Sequence, residues 1–298
     1  MNLLTIRPGR LLKLFALALP LLGCAGMHEP KGPPRKEVVF ALTAGMDLIK
    51  FNAGQPSRIL ERKPVTGLVA GDQLIGIDFR VARGILYALA SSGRIYTINT
   101  ATGAPKLLEA QPVAVALQGT AFGFDFNPAV DRLRIVSNTG QNLRMHPDTG
   151  AIVDSNPNLP GVQTDSALRY VAGDPNEGRT PDVAAAAYTY NKVNEKITTL
   201  YTIDRALGVL AMQGSKEGVV PFVSPDTGQM RTVGSLGLGP LLDAAFDISD
   251  INNTALVAVR TPAGGPTRLH LIDLETGRAT ALGRIGDGTP VLGLAIEP

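Results

Sequence analysis

An all-β chain closed into a β-propeller of five four-stranded blades is the fold that this sequence predicts, and three observations predict it. Glycine and proline are frequent, 33 and 22 of 298 residues, and they punctuate short runs with the two-residue period of strands. A small-residue theme returns five times at a spacing near fifty residues, the length that four short strands and their turns require. The chain also stops on a copy of that theme, whereas its domain starts without one.

The theme reads Gly76-Ile77-Asp78-Phe79, Gly123-Phe124-Asp125-Phe126, Ala186-Ala187-Tyr188-Thr189, Ala245-Phe246-Asp247-Ile248 and Gly293-Leu294-Ala295-Ile296, with intervals of 47, 63, 59 and 48 residues. Small residues inside a strand permit the close backbone approach that the innermost strand of a blade demands. These are therefore the first strands, A. Ile85–Ala90 and Arg94–Asn99 in one unit, and Leu133–Val136 and Asn142–Met145 in the next, supply strands B and C.

Ala101-Thr102-Gly103, Asp148-Thr149-Gly150, Asp226-Thr227-Gly228 and Glu275-Thr276-Gly277 form a second theme. A glycine in the last place provides the positive φ that such a hairpin needs, which sets these triplets between strands C and D. Val38 onward begins with B-like and C-like segments, and Val291–Glu297 is an A strand, so the last strand completes the first blade and leaves no exposed sheet edge. Six blades is the alternative, if the long stretch from Asp154 to Asp182 holds a further strand set.

The chain from about Val38 to Pro298 resembles the uncharacterised secreted bacterial domains catalogued as domain of unknown function 4394. The resemblance is carried by Gly123-Phe-Asp-Phe-Asn-Pro-Ala-Val-Asp-Arg-Leu-Arg-Ile-Val136, Ser137-Asn-Thr-Gly-Gln-Asn-Leu-Arg144 and Ala184-Ala-Ala-Ala-Tyr188. It implies an exported, propeller-like domain and brings no activity or catalytic residues with it.

Residues 1–23 carry Arg7, Arg10 and Lys13, no acid, and then an apolar run from Leu14 to Leu22. This order is a signal peptide's. As a helix the run would be only about 14 Å long, short of the ~30 Å hydrocarbon core of a membrane. Leu21-Leu22-Gly23-Cys24 is similar to the bacterial lipobox, which makes Cys24, the only cysteine, the expected site of acylation. Ala25 in place of an aspartate resembles the sorting signal for the outer membrane of a Gram-negative cell. Residues 24–37 read as the lipidated cysteine and a Pro-rich tether, and 38–298 as a single domain. Removing the leader's three cations from 28 Lys and Arg leaves 25 against 26 Asp and Glu, so the +2 of the precursor becomes −1. A nearly neutral domain without a Lys/Arg run gives no electrostatic footing for nucleic acid.

Enzymatic constellations are thin. The three histidines, His28, His146 and His270, lie in the tether and in two different blades, without the clustered spacing of a zinc site. No nucleophile elbow, P-loop or dinucleotide fingerprint occurs. Asp78, Asp125 and Asp247 hold the same place in the A theme. They either cap the turns that follow by accepting backbone N–H bonds or form a carboxylate ring in the central channel, suited to calcium. Arg132, Arg134 and Arg144, close to Asp125 and Asp131, read as ion pairs between blades, with an anion site as the other reading.

In a four-stranded meander the D-to-A and B-to-C loops share one face of the ring. The long Asp154–Asp182 connection belongs to that face, and connections of such length tend to be functional or disordered. Asp165, Arg169, Asp174 and Asn176 in it, with Asn138 and Thr139 of a B-to-C loop, are the candidate ligand or partner face. The expected function is a non-enzymatic binding or scaffold module, lipid-anchored on the cell envelope, meeting a small ligand or another envelope protein. A calcium-dependent hydrolase resembling the lactonase-type propellers is the alternative, weakened because the A-theme acid is missing from two of five units.

Overall fold

The computed structural model describes Met1, residues 32–108 and residues 115–298; the leader, Cys24 and most of the tether lie outside them. Lys31–Pro298 is one compact unit, and among its described residues no helix is long and apolar enough to cross a membrane.

Five antiparallel sheets form a five-bladed propeller. Blade 1 joins β1 (Val38–Thr43), β2 (Asp47–Asn52) and β3 (Ile59–Pro64) to the last strand of the chain, β20 (Val291–Ile296). Blade 2 is β4 (Leu74–Arg80), β5 (Ile85–Ala90), β6 (Ile95–Ile98) and β7 (Pro105–Leu107), and blade 5 is β16 (Asp243–Ile248), β17 (Ala255–Arg260), β18 (Arg268–Ile272) and β19 (Ala279–Arg284). The closure follows the sequence argument: β20 is the innermost strand of blade 1 and pairs with β1 in the register Val39↔Ile296, Phe40↔Ala295, Ala41↔Leu294.

Blades 3 and 4 depart from the regular four strands in opposite ways. Blade 3 has β8 (Phe122–Asn127), β9 (Arg132–Ser137) and β10 (Asn142–Met145), and its fourth strand is reduced to one bridge, Met145↔Ile152. Blade 4 has β12 (Val183–Tyr188), β13 (Leu200–Asp204), β14 (Val209–Gln213) and β15 (Gln229–Ser235), plus a fifth strand, β11 (Arg169–Tyr170), parallel to β15 on its outer edge. The Asp154–Asp182 connection is thus no sixth blade; it widens blade 4 where blade 3 falls short. A two-residue strand between irregular flanks has too little period-2 pattern to be seen in sequence.

The inner strands β4, β8, β12, β16 and β20 surround the channel. Their small residues are required: a Cβ on Gly123 would come 2.6 Å from the Cβ of Ala186, and one on Gly293 would come 2.7 Å from the main-chain nitrogen of Ile77. At this end the channel is filled by Phe122, Phe124, Phe246 and Leu294, with about 20 Å³ of free space. Five separate apolar clusters, one in each joint between blades, make up the core. The joint between blades 3 and 4 holds nine buried hydrophobic residues, against thirteen between blades 4 and 5, and the difference is filled by polar side chains.

Candidate functional site

An inner strand has a neighbour on only one side, so the N–H groups on its channel edge need partners from elsewhere. At the end of the channel opposite the phenylalanines, five such groups fall level, one per blade: those of Phe79, Phe126, Tyr188, Ile248 and Ile296. Three aspartates accept all five. Asp78 takes Phe79 N on Oδ1 and Phe126 N on Oδ2, both at 2.7 Å. Asp125 takes Tyr188 N on Oδ2 at 2.8 Å. Asp247 takes Ile248 N on Oδ1 at 2.6 Å and Ile296 N on Oδ2 at 2.5 Å.

This accounting explains the two blades without an acid. Ala187 and Ala295 stand where the aspartates stand, and the N–H groups they would have served, on Ile248 and Phe79, are taken by Asp247 and Asp78. The carboxylates therefore do more than cap turns in their own strands, because in each case one oxygen reaches the next blade. Sequence pattern shows the aspartates but not these partners, which lie 48, 63 and 49 residues away.

One oxygen of each acid lies within 4.8 Å of one of each other acid, and all three side chains are buried. Burial pushes all three carboxyls up. For Asp125 the charges of Asp78 and Asp247 add to it, and for Asp78 that of Asp247 does; Asp247 rises to about 7. With Asp78 and Asp125 this close, a proton held by one relieves the repulsion between them. Three carboxylates in so small a space cannot all ionise without a compensating cation.

The triad is the floor of a cavity of about 190 Å³, walled by Arg80, Asn127, Pro128, Tyr188 and Tyr190 and opening among the turns between A and B strands. Arg80 is held against Asp131 and Asp148 of blade 3. Glu37 enters on this face too, its Oε1 accepting from Asn252 and Thr254 in the A-to-B turn of blade 5.

The other predicted residues sit elsewhere and bind within the protein. Asn138 Oδ1 accepts from Thr120 N and Ala121 N, and Thr139 Oγ1 donates to Gln118 O. Arg169 donates to Thr227 O at 3.1 Å. Asp174 accepts from the main chain and hydroxyl of Thr232, both at 2.7 Å, and Asn176 donates to that hydroxyl. Arg169, Asp174 and Asn176 fasten the long connection to β15 and the turn before it, whereas Asn138 and Thr139 tie down the segment that enters blade 3. The side chain of Asp165 is fully buried and accepts from Arg134 and Arg144. Arg134 and Arg144 thus pair with Asp165 and Asp226 instead of the Asp125 and Asp131 that stand near them in sequence, and the acid triad lies among the A-to-B turns, away from the predicted face.

Architecture and triad together define a five-bladed propeller with an acid-floored cavity at one mouth of its channel. The chain belongs to the family described as "Domain of unknown function (DUF4394)", whose model matches residues 47–295. No curated protein matches the sequence. Among solved structures it is similar to the glutaminyl cyclase of Myxococcus xanthus, with a TM-score of 0.43 and 10% identity over 81% of this chain and 97% of that one. It is also similar to a putative 6-phosphogluconolactonase from Bacteroides fragilis, with a TM-score of 0.40 and 16% identity over 88% and 70%. A protein of unknown function from Bacteroides thetaiotaomicron has a TM-score of 0.43 and 11% identity over 86% and 63%. None of the three bears on what this chain binds.

Proposed function

We propose that the protein is a ligand-binding module of the bacterial cell envelope, held there by acylated Cys24, and that its ligand is a cation seated on Asp78, Asp125 and Asp247. The observation that carries this reading is the convergence of three buried carboxyls at the floor of an open cavity. Calcium bonds to oxygen at about 2.4 Å, so ligand oxygens on opposite sides of the ion stand about 4.8 Å apart. The spread of the three carboxyls suits that reach, and each carboxylate has lone pairs beyond those occupied by N–H groups. Water from the cavity completes the shell.

Binding is favoured over hydrolysis by the way the acids are held. Five main-chain N–H groups fix the carboxyls in place, which suits a rigid platform more than a base that must approach its substrate. The test is calcium titration of the purified mature protein at pH 7, followed by calorimetry and metal analysis. One ion per chain, bound with release of protons and abolished by Asp125→Asn, is expected. A chain that takes up no divalent cation sinks the proposal, and calcium-dependent ester or lactone turnover would replace it with the hydrolase reading. Mass spectrometry of the N-terminal peptide tests the anchor, for which acylated Cys24 is expected and release of the Cys24→Ser protein from membranes should follow.

A further inference from the structure

A second cavity, of about 330 Å³, lies between blades 3 and 4 on the same face as the acid-floored one, and Asn127 and Tyr188 belong to the walls of both. Its charge is opposite. Arg134 and Arg144 on its inner side are matched by two acids, Asp165 and Asp226. Arg134 is held from all sides by Tyr188 Oη, Asn142, Asp165 and Asp226. What is left over is Arg132 at the start of β9 and Lys196 in the loop after β12.

Among the described residues neither of these two cations forms an ion pair with a carboxylate. Arg132 Nη1 donates only to the main-chain oxygens of Val130 and Asp131. The acids beside them in sequence turn to the other cavity, Asp131 to Arg80 and Glu195 to the hydroxyl of Tyr190. The lining thus carries an excess of two positive charges in a recess, where charge-assisted hydrogen bonds are stronger than on open surface. Beside this recess two apolar side chains stand in solvent, Phe222 at 64% and Val130 at 56% exposure.

We infer that this interblade cavity binds an anionic group, phosphate or carboxylate, carried on an apolar body. Arg132, Lys196 and Arg144 receive the anion, and Phe222 and Val130 cover the apolar part. Asp165 and Asp226 balance the charges of the two inner arginines before the ligand arrives, so the anion meets Arg132 and Lys196 first. A phospholipid headgroup and a soluble phosphate offer the same chemistry to these residues.

Equilibrium dialysis of the mature protein against labelled inorganic phosphate is the first measurement. The second uses Phe222→Trp, a reporter without background because the chain has no tryptophan, titrated with phosphatidylcholine vesicles with and without phosphatidylglycerol; any lipid anchor enters both alike. Saturable phosphate uptake is expected, weakened about tenfold or more in Arg132→Ala/Lys196→Ala, as the loss of two charge-assisted bonds implies. A tryptophan blue shift specific to phosphatidylglycerol, with displacement of phosphate, assigns the site to a headgroup. Phosphate uptake without that shift assigns it to a soluble ligand. The inference is overturned if neither signal occurs, or if both persist unchanged in the double variant. Lys196→Gln alone, a change on an exposed loop, decides the matter should the double variant not fold.

Discussion

The joint between blades 3 and 4 and the joint between blades 4 and 5 solve one problem in two ways. At the first, Asp125 reaches across to Tyr188 N, and Arg134, Asp165, Asn142 and Gln213 form a hydrogen-bonded cluster around a small apolar core. At the second, Ala187 replaces the acid, and thirteen buried hydrophobic residues pack without such a cluster. Apolar packing tolerates substitutions of similar volume, whereas a buried polar cluster fails when one member is removed, because the others lose their partners.

The largest effect that follows is at Arg134. Arg134→Met should destabilise the protein by about 3–5 kcal/mol, since Asp165 keeps a buried charge with Arg144 as its remaining partner. Leu210→Met, a volume-conserving change at a fully buried residue of the joint between blades 4 and 5, should cost less than about 1.5 kcal/mol. Urea unfolding of both variants measures the contrast, and equal losses would remove the distinction between the joints.

The acid triad gives the next effect. A carboxyl whose folded pKa lies above its unfolded value of 3.8 holds a proton in the native state that the unfolded chain has released. Its stabilising contribution is complete below about pH 4 and is lost as pH rises toward the folded value, about 7 for Asp247. Chelator-treated protein should therefore lose stability on the order of a few kcal/mol between pH 4 and pH 7. Calcium should restore it at the upper end of that range. A melting temperature that rises steadily across the same interval contradicts the raised carboxyls.

Converting the alanine joint to the acidic kind tests the accounting of N–H groups. Ala187→Asp places a fourth carboxyl where the N–H of Ile248 is already taken by Asp247. It should cost about 3 kcal/mol at pH 7, in the range for a buried polar group without a partner, and less at pH 4, where it is protonated. A neutral outcome at both values would mean that an N–H group was left over.

Much of this was legible in the sequence, because strand period, the Thr-Gly turns and the five small-residue themes are local. Closure by Val291–Ile296 was readable for the same reason, as were the three aspartates at equivalent positions. Their partners were not, since Asp78 and Phe126 meet through the stacking of blades. The arginine pairs were hidden likewise: Asp165 lies 31 residues from Arg134 in a connection without a regular pattern, and Asp226 lies 92 residues away, so both acids are invisible to a reading of neighbours along the chain.

The smallest predicted difference separates two residues that the sequence presents as equals. Asp78 serves two main-chain N–H groups and Asp125 serves one, while both are buried and both lie against the other and Asp247. Replacement by alanine relieves much the same repulsion in either case, so that contribution largely cancels between the two variants. What remains is one additional orphaned N–H in Asp78→Ala, worth about 1–3 kcal/mol. Denaturant midpoints at pH 5 should therefore fall further for Asp78→Ala than for Asp125→Ala, with Asp247→Ala close to the former. If Asp125→Ala is the least stable of the three, contacts among the carboxyls matter more than the N–H groups, and the accounting by N–H partners fails.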